Sequence, residues 1–258
     1  MAGDRNRFTE QWDAVDPFDP DYPHLWIKIE HLGRYLFARN VLQSRGVKTV
    51  ADMGCGAGYG SRILADAADT VIAVDENREA IESLLSLADD RIKPTRLSFG
   101  SDSLVEGLET EPLDAIVCFE TLEHLIDPLS MLGEFAELLR PGGTLILSVP
   151  NSVVERLDDV GLLTNPVHQR MFTIDSIREL IEQSGFQIRS VAGQPIAATI
   201  HQNETRLIRR KQLDGRVGDE PSLHDPALLE RLALTVGYPE PRDVERSYSI
   251  IIVAERAT

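Results

Sequence analysis

Four side chains that can exchange a proton or bind a metal lie at two places in the sequence. Glu120, Glu123 and His124 follow an apolar run, and offsets of three and four residues place them on one side of a helical turn. His168 comes later, in the loop sequence Asn-Pro-Val-His-Gln-Arg. A histidine with a pKa near its reference value of ~6.5 can remove a proton from a hydroxyl group at neutral pH. The pattern predicts His124 or His168 as a base, oriented by Glu123.

Two other interpretations of these residues are open. The two carboxylates and two imidazoles could hold a divalent metal such as Mg²⁺ or Mn²⁺, which would bind acceptor oxygens and lower their pKa. In the other interpretation, His124 pairs with a backbone group and His168 only packs in its loop. The ligands of the alternative metal site would be Glu120, Glu123, His124 and His168.

A glycine-rich loop is the second feature with chemical meaning. The predicted strand Thr49–Met53 runs into Gly-Cys-Gly-Ala-Gly-Tyr-Gly and then into a predicted helix. Glycines let the chain turn tightly and let a ligand approach the helix N-terminus. Asp75 ends the next strand, 19 residues after Gly56, where a carboxylate can accept hydrogen bonds from both hydroxyls of a ribose. This order of elements predicts a nucleoside site.

The charges around the loop indicate which nucleoside is bound. Asp52 lies two residues before the first glycine, and the loop contains no lysine. A pyrophosphate carries two negative charges and would be repelled by this carboxylate. An ammonium group and a sulfonium cation would be attracted to it. The predicted cofactor is therefore S-adenosylmethionine.

The rest of the pattern predicts the elements that position these residues. Short apolar runs alternate with amphipathic stretches, as in βαβ units whose parallel sheet is covered on both faces. The predicted fold class is a doubly wound α/β fold. The predicted helices include Leu25–Gln43 and Ile174–Ser184. The predicted strands are Thr49–Met53, Thr70–Val74, Arg96–Phe99, Ala115–Phe119, Thr144–Val149, Phe186–Val191 and Ser247–Val253.

The length favours one large domain over two small ones, because 258 residues can share a single hydrophobic core. We expect a single domain over residues 1–258. We expect the aromatic and proline-rich segment Phe8–Trp26 to cover an acceptor pocket as a lid, together with an insertion that precedes the last strand. The predicted parts are an N-terminal cap segment (1–45), a cofactor-binding core (46–193), a rim insertion (194–246) and a last strand (247–258).

The composition limits the classes of partner. The chain has 26 basic and 42 acidic residues, a formal net charge of −16. An acidic surface repels phosphate backbones and anionic lipids, so nucleic-acid and membrane partners are not expected. We expect a soluble, cytoplasmic protein, because the sequence has only two cysteines, no apolar window of ~20 residues and no signal-peptide core. A small-molecule acceptor is expected, and the sequence predicts no oligomeric state.

The motifs together resemble the class I S-adenosylmethionine-dependent methyltransferases, which have a Rossmann-like fold. The similarity is greatest to the branch that contains the ubiquinone-biosynthesis O-methyltransferases, and it covers about residues 47–191. It implies a mostly parallel seven-stranded sheet with an N-terminal helical cap and an insertion before the last strand. The similar motifs are Asp52-Met-Gly54-Cys-Gly56-Ala-Gly58, Asp75, Gly100-Ser-Asp102, Phe119-Glu120-x-x-Glu123-His124 and Leu139-Arg-Pro141-Gly142-Gly143-Thr144.

The resemblance also implies residue roles. Asp75 would bind the ribose, Glu76 would lie beside the adenine, and Asp102 would accept its amino group. Phe119 and Glu120 would line the floor under the sulfonium, and the other members would hold the rest of the cofactor. The implied cofactor-binding residues are Asp52, Gly54, Cys55, Gly56, Gly58, Tyr59, Asp75, Glu76, Ser101, Asp102, Ser103, Phe119 and Glu120.

The implied reaction is methyl transfer to a small molecule, with oxygen as the leading acceptor, by in-line displacement in a relatively dry site. N-methylation of a metabolite is one alternative. Glu120-x-x-Glu123-His124 with His168 also resembles the metal-binding set of small-RNA 3′-terminal 2′-O-methyltransferases, and metal-dependent methylation of an RNA 3′ end is a second alternative. A non-catalytic cofactor-binding protein is the third, which the intact motif set disfavours.

Overall fold

A computed structural model describes residues 15–19, 22, 24–108, 110–155, 157, 158, 163–194 and 196–258. Their strands form one sheet, and its bounds are β1 Thr49–Met53, β2 Thr70–Asp75, β3 Ile92–Arg96, β4 Leu113–Phe119, β5 Leu139–Pro150, β6 Phe186–Gln194 and β7 Ser249–Arg256. The order in the sheet is β3-β2-β1-β4-β5-β7-β6. β1 to β5 pair in parallel, whereas β7 is antiparallel to both β5 and β6. The predicted seven-stranded, mostly parallel fold is confirmed.

Helices connect most of these strands, and several begin at a residue that caps them. The Thr173 hydroxyl accepts from the backbone N–H of Ser176, whose hydroxyl in turn accepts from the Thr173 N–H. A 3₁₀ turn over Leu122–His124 follows β4. The α-helices are α1 Leu25–Gln43, α2 Tyr59–Leu64, α3 Arg78–Ser86, α4 Leu104–Gly107, α5 Pro128–Leu138, α6 Ile174–Gln183, α7 Ile196–Arg209 and α8 Pro226–Thr235.

Both faces of the sheet are buried, because successive strand residues point to opposite faces and helices cover each one. On one face, Met53 of β1 belongs to a core that includes Phe135 of α5 and Ile177 of α6. On the other face, Val50 belongs to a core that includes Tyr35 of α1. With the faces closed, the edge at which β1, β2 and β4 end is where a ligand can enter.

The third strand differs from the prediction. Arg96–Phe99 was expected, but β3 is Ile92–Arg96 and contains Pro94. β3 is the edge strand and pairs only with β2, so the missing N–H of the proline leaves no neighbouring strand unpaired. The predicted strand was wrong because Phe99 lies beyond β3, in a turn where it bridges to Asp102.

The region before the last strand contains α7 and α8, and α8 packs against α1. Leu229 and Ala233 of α8 are buried with Leu25 and Ile29 of α1. The Lys28 ammonium of α1 donates to the Asp19 carbonyl and lies 3.0 Å from Nδ1 of His224, so the N-terminal segment and the insertion meet at this helix. Residues 8–14, 20, 21 and 23 of the predicted lid lie outside the described residues. Among the described helices, none is long and apolar enough to cross a membrane.

Candidate functional site

A cavity of about 1230 Å³ opens where β1, β2 and β4 end. One end is lined by residues 54–57 of the glycine loop and by Asp75, Glu76 and Asn77, and the other by Glu123, His124 and their neighbours. Gly58 is not among the lining residues. Helix α1 contributes side chains between the two ends. The cavity lining includes Glu30, His31, Arg34, Tyr35, Tyr59, Phe99, Phe119, Glu120, Glu155, His168 and Tyr248.

The glycine loop has a backbone that only glycine adopts easily. Gly54, Gly56 and Gly58 have φ values of +78°, +50° and +79°. A Cβ atom on Gly54 would lie 2.4 Å from the Thr121 hydroxyl oxygen. The N–H groups of Gly54 and Cys55 donate to the Val74 carbonyl at 2.8 and 3.0 Å, so the loop is tied to the end of β2.

Asp75 holds this loop from the end of β2. Its Oδ2 accepts from the Gly56 N–H at 2.8 Å, and its Oδ1 accepts from the Asn77 N–H at 2.8 Å. Asn77 in turn caps α3 by accepting from the N–H groups of Glu79 and Ala80. The carboxylate is only partly buried and lines the cavity, so it can also accept hydrogen bonds from a ligand.

Asp52 lies beneath the loop and is not among the residues that line the cavity. Its side chain is fully buried and accepts from the Ser61 hydroxyl at 2.6 Å and the Tyr35 hydroxyl at 3.0 Å. Burial raises the pKa of Asp52 to about 7, although these two hydrogen bonds lower it. Asp52 therefore contacts Tyr35 and Ser61 rather than the cavity.

The structure does not bring Ser101, Asp102 and Ser103 to the cavity lining. The Asp102 carboxylate accepts from the Ser98 N–H at 2.8 Å and closes a turn. The Ser103 hydroxyl caps α4 by accepting from the Glu106 N–H at 3.3 Å. Phe99, which sequence reasoning did not single out, lines the cavity just before this turn.

An aromatic group forms the middle of the cavity. The Tyr35 ring contacts the rings of Tyr59 and Phe119 edge to face, with centroid distances of 5.2 and 5.0 Å. The Tyr59 hydroxyl lies 3.0 Å from Nδ1 of His31. Burial, and then the neighbouring Arg34, hold the pKa of His31 well below its ordinary value, so this imidazole is neutral at neutral pH.

Glu120 is paired with a cation on α1. Its Oε1 lies 2.7 Å from a guanidinium nitrogen of Arg34 and accepts from the Ser148 hydroxyl at 2.7 Å. Glu120, just after the end of β4, has a positive φ of +48°, which is uncommon for a residue other than glycine. Although burial lowers the pKa of Arg34, the Glu120 and Glu30 carboxylates raise it above its ordinary value. Glu120 was one of the four ligands of the alternative metal site, but it pairs with Arg34 and is not grouped with the other three.

The other three members of that set are close together. The rings of His124 and His168 contact edge to face with centroids 5.0 Å apart, and Nε2 of His124 lies 3.9 Å from Glu123 Oε1. Among the described residues, Glu123, His124 and His168 offer ligand atoms within 4.8 Å of one another. Nδ1 of His124 lies 3.2 Å from the Val167 carbonyl oxygen. The three groups fit either a divalent metal or a proton-transfer site.

Glu155 is a site residue that sequence reasoning missed. Its Oε1 lies 2.7 Å from Nδ1 of His168, whereas the carboxylate predicted to orient a histidine, Glu123, is 3.9 Å from His124. No motif or spacing marks Glu155. Only the path of the chain after β5 brings it to His168, 13 residues later.

Comparisons with known proteins identify the family. The sequence profile of a family described as a methyltransferase domain matches residues 26–191. A Mycolicibacterium smegmatis protein, named a probable S-adenosylmethionine-dependent methyltransferase, is 28% identical over 218 residues, which cover 81% of this chain and 82% of that protein. A ubiquinone biosynthesis O-methyltransferase of Xanthomonas campestris is 34% identical over 151 residues, or 54% of this chain and 56% of that enzyme.

Solved structures show the same fold at low sequence identity. The 1,6-didemethyltoxoflavin-N1-methyltransferase of Burkholderia thailandensis, solved with S-adenosylhomocysteine, is 17% identical, with a TM-score of 0.56 over 98% of this chain and 87% of that one. The profile match covers more than half of the chain, and the name of the Mycolicibacterium relative includes S-adenosylmethionine. The chain therefore belongs to the class I S-adenosylmethionine-dependent methyltransferases.

Proposed function

We propose that this methyltransferase acts on a hydroxyl oxygen of a small molecule held in the cavity. The observation that carries the proposal is the His168–Glu155 pair at 2.7 Å, at the end of the cavity opposite Asp75. A carboxylate on Nδ1 orients the imidazole and leaves Nε2 for the acceptor. The O-methyltransferase name of the Xanthomonas relative supports the choice of oxygen.

The cofactor would lie along the glycine loop. Asp75 would accept hydrogen bonds from the ribose hydroxyls, and Glu76 and Asn77 would lie beside the nucleoside, since all three line that end of the cavity. Phe119 and Glu120 would lie near the sulfonium, where the ring and the carboxylate both favour a cation. The cofactor-binding roles that the resemblance implies for Ser101, Asp102 and Ser103 would require a change in the turn that these residues form.

In the proposed reaction the acceptor oxygen forms a bond to the methyl carbon while the carbon–sulfur bond breaks. The electron pair of that bond stays on sulfur and gives S-adenosylhomocysteine. The acceptor proton moves to Nε2 of His168, and Glu155 stabilises the imidazolium that forms. A metal held by Glu123, His124 and His168 would instead lower the pKa of the acceptor hydroxyl.

The acidic lining weighs against the RNA alternative. Carboxylates of Glu30, Glu120, Glu123 and Glu155 line the cavity, and the whole chain carries a net charge of −16. A polyanionic acceptor would be repelled by both.

We also propose that residues 1–258 act as one domain, because α8 of the insertion packs on the same helix, α1, that lines the cavity.

The test is transfer of an isotopically labelled methyl group from S-adenosylmethionine to a library of hydroxylated metabolites, with the products identified by mass spectrometry. We expect methyl ethers, and loss of most turnover in His168→Ala with cofactor binding retained. Products methylated only on nitrogen or carbon would overturn the oxygen assignment. Activity lost to a chelator and restored by Mg²⁺ would select the metal mechanism over the free base.

A further inference from the structure

The acceptor end of the cavity has an excess of negative charge. Four glutamates line it, Glu30, Glu120, Glu123 and Glu155. In the described part of the cavity lining there is no lysine, and Arg34 is its only arginine. The Arg34 side chain is 2% exposed and is already paired with Glu120 at 2.7 Å. Burial, and after it the charge of Glu120, raise the pKa of Glu123 well above its ordinary value. Even without Glu123, the permanent cation Arg34 balances at most one of the three other carboxylates.

Three of these carboxylates, those of Glu30, Glu120 and Glu155, act on the same group in the cavity. Tyr248 lines the same cavity, and after burial the charges of Glu30 and Glu120 are the main causes that raise the pKa of its phenol. Glu155 contributes in the same direction. A group that enters beside Tyr248 therefore experiences several carboxylates at short range.

One carboxylate oxygen in this space lacks a hydrogen-bond partner. Glu123 has a side chain only 2% exposed, and its Oε2 accepts no hydrogen bond from any described residue. Its other oxygen is 3.9 Å from His124, beyond hydrogen-bond distance. A buried, unpartnered carboxylate oxygen is unfavourable, so the site is incomplete until a donor reaches it.

We propose that the acceptor carries a cationic nitrogen group, an ammonium or a guanidinium, that donates a hydrogen bond to Glu123 while its hydroxyl lies beside His168. The inference rests on the proposed function and adds the substrate class to it. A cationic group would supply both the missing donor and the missing positive charge. An acceptor that bears a carboxylate or phosphate in the same place would be repelled by Glu120 and Glu155, whose charges act on the same position.

Binding to the complex with S-adenosylhomocysteine tests this without turnover. The probes are hydroxylated compounds matched in skeleton in ammonium, neutral and carboxylate forms, beginning with tyramine, 4-ethylphenol and 4-hydroxyphenylacetate. Calorimetry in a chelator-containing buffer should give at least tenfold tighter binding of the ammonium forms than of the carboxylate forms. Glu123→Gln should remove most of this preference, while the exposed control Glu137→Gln on α5 should retain it. Affinity for S-adenosylhomocysteine, measured for each variant, verifies that the folded site is intact.

Equal or tighter binding of the carboxylate forms would overturn the inference, as would an ammonium preference that survives Glu123→Gln. Glu30→Gln provides a second variant, expected to weaken the preference through charge alone. If Mg²⁺ abolishes the advantage of tyramine, the partner of Glu123 is a metal and the inference fails. Methylation of anionic acceptors would overturn this inference alone, whereas a retained ammonium preference without O-methylation would overturn only the proposed function.

Discussion

At the scale of single residues, Asp75 combines a structural and a ligand-facing role. It accepts from two backbone N–H groups, of Gly56 and Asn77, and it faces the cavity. Asp75→Ala should weaken binding of S-adenosylhomocysteine roughly 10- to 100-fold, because charge-assisted hydrogen bonds contribute about 1.5–3 kcal/mol. Calorimetry provides the measurement. The exposed Asp90→Ala variant is the matched control, and equal affinities of the two variants would contradict the assignment.

Asp52 predicts a pH dependence of stability. Its folded-state pKa of about 7 lies above the ordinary value of 3.8, so its contribution to stability is present below pH ~4 and is lost as the pH rises to 7. The loss is roughly 1.4 kcal/mol per pH unit in that window. Asp52→Asn stays uncharged, so its melting temperature should rise relative to the wild type by roughly 2–4 °C per kcal/mol.

Thermal unfolding of both proteins from pH 4.5 to pH 8 would measure this difference. The gap should widen with pH and become flat above pH ~8, where the wild-type carboxyl is fully charged. A gap that is constant over the range would mean that Asp52 keeps an ordinary pKa in the folded protein. Asp90→Asn, at an exposed site, should give no pH-dependent gap.

Residue-scale prediction from the sequence worked where chemistry follows a local motif. The glycine loop and Asp75 were both predicted to lie at the ends of adjacent strands, and the structure brings them into hydrogen-bond contact. Glu155 and Phe99 follow no motif, and only the tertiary path of the loops brings them to the cavity. Asp52 was expected to face the cofactor. Asp52 is instead buried and accepts a hydrogen bond from Tyr35 of α1, a contact that no local motif predicts.

At the scale of elements, α1 connects the cavity to the insertion through a close backbone contact. A Cβ atom on Gly33 would lie 2.2 Å from the Gly237 carbonyl oxygen. Gly33→Ala should therefore destabilise the protein by roughly 1–3 kcal/mol and displace α1 from α8. A Cβ on Gly133 of α5 meets no atom within 4 Å, so Gly133→Ala should stabilise the protein by up to about 1 kcal/mol.

Chemical denaturation of both variants measures these free energies. Since α1 also carries Arg34 and His31 into the cavity, Gly33→Ala should weaken S-adenosylhomocysteine binding as well, and Gly133→Ala should leave it unchanged. Opposite signs of the two stability changes are the essential result. Equal changes would mean that α1 and α8 do not approach this closely in solution.

The elements themselves were predictable to different degrees for physical reasons. The apolar period of α1 gave both of its ends, Leu25 and Gln43, as the structure has them. β3 was misplaced because its burial is partial and its Pro94 is compatible only with an edge strand. The insertion had no strong apolar period, and its helix α8 is fixed by contacts with α1 rather than by local pattern.

At the scale of the whole molecule, the net charge of −16 should attract S-adenosylmethionine more strongly than its product, S-adenosylhomocysteine. S-adenosylmethionine carries a sulfonium and an ammonium against one carboxylate, whereas S-adenosylhomocysteine has lost the sulfonium charge and is neutral overall. The acidic chain, and the carboxylates of Asp75, Glu76 and Glu120 that line the cavity, should attract the first more than the second. Methyl transfer therefore removes an electrostatic contribution to binding and favours product release.

This difference should depend on salt. The Debye length shortens from about 30 Å at 0.01 M ionic strength to about 3 Å at 1 M, so the long-range attraction is screened at high salt. Affinity for S-adenosylmethionine should fall several-fold over this range, by an amount on the order of 1 kcal/mol, while affinity for S-adenosylhomocysteine changes little. Calorimetric titrations of both ligands in the same salt series provide the measurement, and the neutral ligand is the control for salt effects on the protein itself. Parallel salt dependences would show that the charge of the molecule does not discriminate between cofactor and product.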